Sequence, residues 1–317
     1  MPKVIIVNTV PESDNYVRIL SENGFEVEYC DSSEEEIVAK GQDAEAIIFS
    51  STKFTYELFD KLQNLKIISR TGIGIDTVDM EAATSHGVTV CNCAAYGTYD
   101  VAEHTVALIL SLIHSVPRYT NSIKSENDWS FASVPMAMRL SERRLGIIGF
   151  GKIPRWICRM LQGFGIKISV YDPYADLKVA EELGVECVEL DEIFKSSDII
   201  SVNAPLNNST YHIINSDSIG KMKNGVLIVN TSRGALIDEK ALISALECGK
   251  VGGAALDVFE NEPFANDSKL RFLPNVVLTP HVAWRSAEAM RDLTLEVCEN
   301  IIDFYNGKPL KNQLNMK

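Results

Sequence analysis

Three polar residues follow three apolar, strand-like runs in the second half of the sequence. Arg233, Glu262 and His281 each come a few residues after such a run. Because the carboxyl ends of parallel strands meet at one edge of a sheet, these side chains should share one crevice. An arginine there can bind an anion and polarise a carbonyl, and a histidine beside a carboxylate can give or take a proton. The pattern therefore predicts an acid–base site for a small anionic molecule.

A second group of residues has the pattern of a dinucleotide-binding turn. Gly149 and Gly151 lie between an apolar run and a helical pattern, and Pro154 occupies the third position of the fingerprint. Gly149 would permit a tight turn, and Gly151 would let the backbone approach a pyrophosphate at the helix N-terminus. Asp172 ends the next strand, where an acid binds the ribose 2′-hydroxyl of NAD. No basic residue follows it directly, so the pattern favours NAD over NADP.

Short β-branched runs alternate with helical patterns along the whole chain. Ten of these runs predict strands, at residues 4–7, 46–49, 66–69, 88–91, 145–148, 168–171, 199–202, 226–229, 254–257 and 276–278. Runs of four or five apolar residues between helical segments are typical of parallel strands covered on both faces. The sequence therefore predicts an α/β fold with two doubly wound parallel-sheet domains, Rossmann-like or flavodoxin-like. The last helical pattern, 287–305, is long enough to return to the first sheet. We therefore expect a discontinuous first domain of residues 1–97 and 285–317 around a second domain of residues 98–284.

Composition excludes several classes of partner. The 317 residues include 30 basic and 43 acidic side chains, which gives a formal net charge of −13. This charge argues against nucleic-acid or membrane partners, and no apolar run approaches the ~18–20 residues of a membrane span. Seven cysteines without a Cys-x-x-Cys pair, and a start without a signal-peptide pattern, predict a cytoplasmic protein. Cys91 and Cys93 lack a second cysteine pair, so we predict no metal site.

The sequence resembles the D-isomer-specific 2-hydroxyacid dehydrogenase family across nearly its whole length, with some likeness to the C-terminal-binding-protein branch. The motifs that carry the resemblance are RTGIGID at 70–76, VAEHT at 101–105, the glycine turn, and the stretches with Arg233, Glu262 and His281. The resemblance implies that residues 1–97 and 285–317 bind the substrate and that residues 98–284 bind NAD. It also implies a homodimer formed partly through residues 101–114.

The resemblance further implies a role for each matching residue. Arg233 would hold the carboxylate of a 2-oxo acid and polarise its carbonyl, and His281 would be the general acid in reduction. Glu262 would orient the imidazolium, and it matches the family better than Glu260 because it precedes Pro263. The implied cofactor contacts are Gly149, Gly151, Lys152, Ile153, Asp172, Asn203, Pro205, Thr231, Asp257 and Thr105. The implied substrate contacts are Arg70, Ile73, Gly74, Arg233 and Trp284.

These features predict an NAD-dependent oxidoreductase that interconverts a small anionic 2-oxo acid and its D-2-hydroxy acid. The substrate would be of the glyoxylate, hydroxypyruvate or 3-phosphoglycerate type. Phosphoglycerate-using relatives need basic residues near stretch 50–53, which here offers only Lys53, so the smaller acids are favoured. The alternative is an NAD-sensing interaction protein like the C-terminal-binding corepressors, which share the fold. A methyltransferase with a similar glycine turn would leave the arginine, glutamate and histidine unexplained.

Overall fold

The computed structural model describes residues 1–7, 14–132 and 134–315. The chain divides into two compact units, the first from Met1–Gly97 and Arg285–Lys317 and the second from Thr98–Trp284. Within the described ranges, no helix combines the length and the apolar character that a membrane crossing needs.

Strands and helices alternate along both units. The first unit begins with β1 (Lys3–Val7), α1 (Asp14–Glu22), β2 (Glu26–Cys30), α2 (Glu34–Gly41), β3 (Ala46–Phe49), α3 (Tyr56–Lys61), β4 (Ile67–Arg70), α4 (Met80–Ser85) and β5 (Thr89–Cys91). The second contains α5 (Thr98–Ile113), α6 (Val116–Ser125), β6 (Arg144–Ile148), α7 (Lys152–Leu161), β7 (Lys167–Tyr171), α8 (Leu177–Glu182), β8 (Glu186–Cys187), α9 (Leu190–Ser196), β9 (Ile199–Val202), α10 (Ser216–Lys221), β10 (Val226–Asn230), α11 (Glu239–Glu247), β11 (Val251–Leu256) and β12 (Val276–Leu278). The last helix, α12 (Ala287–Tyr305), belongs again to the first unit.

The first unit contains a five-stranded parallel sheet in the order β2-β1-β3-β4-β5. This is the flavodoxin-like order, with the switch point between β1 and β3. Helix α12 packs against β4, where the Ser69 hydroxyl donates to the Val297 carbonyl at 3.2 Å and accepts from Asn300 Nδ2 at 3.1 Å. The C-terminal helix therefore completes the layer on a sheet built from the N-terminal residues.

The second unit contains a seven-stranded parallel sheet in the order β12-β11-β10-β9-β6-β7-β8. The strand order reverses between β6 and β9, so ligand-binding residues are expected at the carboxyl ends of these central strands. Leu227 and Val229 of β10 enter one buried cluster, and Val226 and Ile228 enter the other. Both faces of the sheet are thus covered, which explains the uninterrupted apolar run. The predicted α/β class with two parallel sheets is confirmed.

Candidate active site

Three neighbouring strands of the second unit place the three predicted catalytic residues at one sheet edge. Arg233 follows β10, Glu262 follows β11, and His281 follows β12, and these strands are adjacent and parallel. Their carboxyl ends therefore deliver all three segments to the same side of the sheet.

His281 and Glu262 form a direct hydrogen bond. The His281 Nδ1 atom lies 2.7 Å from Glu262 Oε2, and Glu262 Oε1 accepts the backbone N–H of Phe259 at 3.0 Å. Because the hydrogen on Nδ1 is held in the hydrogen bond to Glu262, Nε2 is the ring nitrogen that can exchange a proton with a ligand. The two side chains are 42% and 37% exposed, so the pair remains accessible to a small molecule.

The charges around Glu262 keep it ionised. Burial opposes its ionisation and would by itself raise its pKa. The hydrogen bond and the charge of His281, the Phe259 N–H and the charge of Arg233 together outweigh burial, so the pKa of Glu262 lies below its ordinary value. The site therefore holds a carboxylate that can support a protonated imidazole.

The Arg233 segment packs directly against the Glu262 segment. A Cβ atom on Gly234 would overlap the backbone of Phe259, so only glycine permits this approach. The buried Asn230 holds the turn, since its Nδ2 donates to the Arg233 carbonyl at 2.8 Å and its Oδ1 accepts the Ser232 N–H at 3.0 Å. The structure thus brings Arg233, Glu262 and His281 together.

Asp257 lies beneath the segment that carries His281. Its carboxylate accepts the N–H groups of Val282 and Ala283, each at 2.9 Å, and the Thr279 hydroxyl at 2.6 Å. Its carbonyl accepts the His281 N–H at 2.8 Å. The residue is 0% exposed, so its carboxylate stabilises this segment, and its contact with the cofactor stays a prediction.

Thr105 is placed in a similar way. It is also 0% exposed, and its hydroxyl lies 2.6 Å from the Val101 carbonyl and 2.8 Å from the Thr231 hydroxyl. A hydroxyl has one proton, so Thr105 donates to Val101 and accepts from Thr231. Thr105 therefore positions the Thr231 side chain, and the cofactor contacts of both residues stay predictions.

The glycine turn has the geometry that a dinucleotide site requires. Gly149 has φ +100°, and a Cβ there would lie 2.6 Å from the Asn203 carbonyl oxygen. A Cβ on Gly151 would meet nothing within 4 Å, and among the described residues no side-chain cap is seen at the N-terminus of α7. An uncapped helix start beside open space suits a phosphate. Lys152 and half-buried Ile153 begin α7, and Pro154 is buried in its first turn.

Asp172 organises the same turn. Its Oδ2 accepts the Phe150 N–H at 2.7 Å, and its Oδ1 accepts the Tyr174 N–H at 2.8 Å. Each carboxylate oxygen has a second lone-pair site, so these bonds leave capacity for the predicted ribose contact.

Three other predicted contacts lie near the turn or beside His281. Asn203 follows β9, and its Oδ1 accepts the Ser201 hydroxyl at 2.8 Å. Pro205 is exposed two residues later. The Trp284 indole N–H donates to the His281 carbonyl at 3.0 Å, which holds this ring next to His281.

The remaining predicted substrate contacts lie in the first unit. The Arg70 guanidinium bonds the carbonyls of Ser50 and Gly74, and Asn92 Nδ2 donates to the Ile73 carbonyl at 2.7 Å. In the described part of the chain, no acceptor takes the N–H of Ile73 or of Gly74. These two amides can therefore bind an anion.

Sequence patterns did not identify Thr279, His104 and Asn92 as residues that support the site. Thr279 lies 3.2 Å from His104 Nε2 and bonds Asp257, while Asn92 fixes the 72–74 segment. Their partners are distant in sequence, so periodicity carries no signal for them. Across the described ranges, no group of three or more His, Cys, Asp or Glu side chains could hold a metal ion.

Comparison with known proteins decides the family. Residues 106–283 match the family model described as D-isomer specific 2-hydroxyacid dehydrogenase, NAD binding domain. A hydroxypyruvate reductase of Thermotoga maritima is 43% identical over 257 residues, which cover 80% of this chain and 82% of that one. The chain belongs to the D-isomer specific 2-hydroxyacid dehydrogenase family. The predicted family and the predicted NAD cofactor are confirmed.

Other members of this dehydrogenase family are similar over nearly the whole chain. A D-3-phosphoglycerate dehydrogenase of Archaeoglobus fulgidus is 36% identical over 316 residues, which are 99% of this chain and 59% of that one. The chain spans 51% to 60% of the length of the first four phosphoglycerate dehydrogenases that it matches. The crystal structure of D-lactate dehydrogenase from Aquifex aeolicus, complexed with NAD and lactic acid, has a TM-score of 0.89 and 31% identity, covering 99% of each chain.

Proposed function

We propose that this protein is an NAD-dependent oxidoreductase that interconverts a small 2-oxo acid and its D-2-hydroxy acid. The observation that carries the proposal is the 2.7 Å contact between His281 Nδ1 and Glu262 Oε2, beside the charge of Arg233. A nearby cation, a carboxylate and an accessible imidazole are the groups that carbonyl reduction requires.

Each of these side chains has a distinct part in reduction. Arg233 binds the carboxylate and draws electron density from the carbonyl oxygen. His281 gives the proton on Nε2 to that oxygen as the alcohol forms, and Glu262 stabilises the charged imidazole beforehand. When bound, the reduced nicotinamide supplies the hydride to the carbonyl carbon. The proton and the hydride together convert the C=O bond into CH–OH, and oxidation is the reverse.

The cofactor would be held at the glycine turn. The N–H groups at the start of α7, around Gly151, Lys152 and Ile153, would receive the pyrophosphate. Asp172 would bind the adenosine ribose, and Asn203, Pro205 and Thr231 follow strands at the same sheet edge. Asp257 and Thr105 would support this edge from within, since both are completely buried.

The first unit would contribute to substrate recognition. Arg70, Ile73 and Gly74 stay predicted contacts of the substrate carboxylate. Hydrogen bonds within the first unit support this prediction. Arg70 bonds the Gly74 carbonyl and Asn92 bonds the Ile73 carbonyl, so the backbone N–H groups of Ile73 and Gly74 can bind an anion. We place Trp284 beside the substrate side chain, where its bulk favours small acids.

Turnover of a panel of 2-oxo acids tests this function. NADH oxidation would be followed with glyoxylate, hydroxypyruvate, 3-phosphohydroxypyruvate and pyruvate, and the products of the last three, which are chiral at C2, would be checked for the D configuration. We expect turnover with at least one small acid. Tight NADH binding without turnover of any acid would contradict the enzyme function and favour an NAD-sensing protein.

We further propose a cytoplasmic homodimer. All seven cysteines are free thiols, which suits a reducing compartment. A subunit contact formed partly through α5 would be extended by exposed apolar side chains on α6 and in the residues that follow it. These side chains are Val116, Ile123, Trp129, Phe131 and Met136. Light scattering coupled to size exclusion would measure the mass, and a monomer at micromolar concentration would contradict the dimer.

A further inference from the structure

A chain of hydrogen bonds runs from α5 to the segment that carries His281. His104 Nε2 lies 3.2 Å from the Thr279 hydroxyl, which lies 2.6 Å from Asp257 Oδ1. The Thr279 hydroxyl donates its single hydrogen to the Asp257 carboxylate, so it must accept a hydrogen bond from His104, and Nε2 of His104 therefore carries a hydrogen. The donor direction is therefore set from α5 towards Asp257.

Asp257, the last residue of this series of hydrogen bonds, stabilises the backbone conformation of His281. His281 has φ +54°, in the left-handed region that side-chain-bearing residues rarely adopt. Asp257 stabilises that conformation through its carbonyl, which accepts the His281 N–H at 2.8 Å, and through its carboxylate, which accepts the next two N–H groups. The orientation of the Asp257 carboxylate thus determines where the imidazole lies.

The next residue of α5 has a matching contact. Thr105 bonds the hydroxyl of Thr231 at 2.8 Å, two residues before Arg233. Adjacent residues of one helix are therefore connected to the segments of the carboxylate-binding arginine and of the acid–base histidine. Helix α5 is buried along Ala102, Thr105 and Ile109, which gives these contacts a rigid base.

We propose that His104 is a positioning residue for His281: through Thr279 it orients Asp257, which holds the His281 segment in its left-handed conformation. This inference rests on the proposed function and names a residue that acts through others. Loss of the His104 side chain should lower kcat and leave NADH affinity and the KM of the oxo acid nearly unchanged. The reason is that the hydrogen-bond chain ends at His281, the proposed proton donor, and not at the residues proposed to bind the cofactor or the substrate carboxylate.

Paired substitutions of His104 test the proposal in the full-length chain with NADH and an accepted 2-oxo acid. His104→Phe keeps the ring volume and removes the N–H, and we expect kcat to fall about 10- to 100-fold. His104→Gln places an amide N–H in a similar position and should restore most of kcat. His86→Phe is the matched control, since that imidazole bonds Ala82 in the first unit, and kcat should not change.

Substitutions of Thr279 provide a second test, which does not depend on whether the His104 variants fold. Thr279→Val removes the hydroxyl with little change in shape, while Thr279→Ser keeps it, so only the valine variant should lose kcat. The kcat of the double variant His104→Phe/Thr279→Val should be no lower than that of Thr279→Val alone, because both substitutions interrupt the same series of hydrogen bonds.

The results separate this inference from the function on which it rests. If the unaltered chain reduces an oxo acid and His104→Phe retains its kcat, the positioning role is refuted and the function stands. Fully additive losses in the double variant would also refute it. If the unaltered chain reduces no oxo acid, both the function and the positioning role fall together.

Discussion

The two nitrogens of the His281 ring have different surroundings. Nδ1 contacts Glu262 at 2.7 Å, whereas no described group bonds Nε2. Glu262 in turn has one oxygen on His281 and the other on the Phe259 N–H. This asymmetry supports the proposal that Nε2 transfers the proton and that Glu262 orients the ring.

His281→Asn should lower turnover about 10²- to 10⁴-fold, because the amide retains a donor for Glu262 but cannot carry a proton. NADH affinity, measured by fluorescence titration, should not change. The matched control is His212→Asn, since His212 also lies 2.7 Å from a carboxylate, that of Glu260. A variant at 281 with the wild-type rate would overturn the acid–base assignment.

Glu262→Gln tests the lowered pKa of this carboxyl group. A folded-state pKa below the unfolded value stabilises the protein above the unfolded pKa, and that contribution disappears as pH falls through the folded pKa. The wild type should therefore have the higher unfolding free energy at pH 6, and its advantage should shrink below the ordinary glutamate pKa of about 4.3. Urea unfolding at several pH values measures the difference, and an advantage that grows on acidification would contradict it.

At the scale of elements, the strands divide into those that the sequence predicts and those that it does not. The apolar runs of β1, β3, β6 and β10 are buried and were predicted within a residue or two. Strands β2 and β8 were not predicted. Both lie at sheet edges and contain exposed glutamates, so they lack the continuous apolar run of a central strand.

Gly234 shows how element packing positions catalytic residues. Gly234→Ala would force a Cβ into the backbone of Phe259 and separate the Arg233 and Glu262 segments. We expect a loss of about 1–3 kcal/mol in unfolding free energy and a larger relative loss of kcat/KM. Gly220→Ala is the control, since its Cβ would meet nothing within 4 Å in α10. Unchanged kcat/KM in the first variant would mean that the two segments need not touch.

At the scale of the whole molecule, charge and ligand preference oppose each other. The net charge is −13, yet the cofactor and the proposed substrate are anions. Long-range electrostatic attraction by the net charge of the protein therefore cannot bring these anions to it. We therefore propose that binding depends on local groups, which include Arg233, Arg70 and the N–H groups at the start of α7.

The distribution of thiols predicts the reactivity of the folded chain. Cys30, Cys91, Cys93, Cys158 and Cys298 are buried, and Cys187 and Cys248 are exposed. Burial raises the pKa of Cys91, Cys158 and Cys298 to about 12, so their thiolates are scarce. An aromatic disulfide reagent should modify two thiols quickly in the native protein and all seven after unfolding. Rapid modification of a third thiol in the native protein would contradict this burial.

The sequence by itself determined the fold class, the family and the residues proposed for chemistry. Apolar strands and strand-end polar residues are local patterns, and Arg233, Glu262, His281 and the glycine turn lie within them. These patterns are readable because each needs only a few neighbouring residues.

Only the tertiary structure decided how those residues are held. Asp257 and Thr105 are completely buried and bond the segments that carry His281 and Thr231, contacts that the sequence did not predict. His104 reaches Thr279 across 175 positions of sequence. Such contacts depend on how distant segments pack, and the periodicity of a sequence does not record the packing of one segment against another.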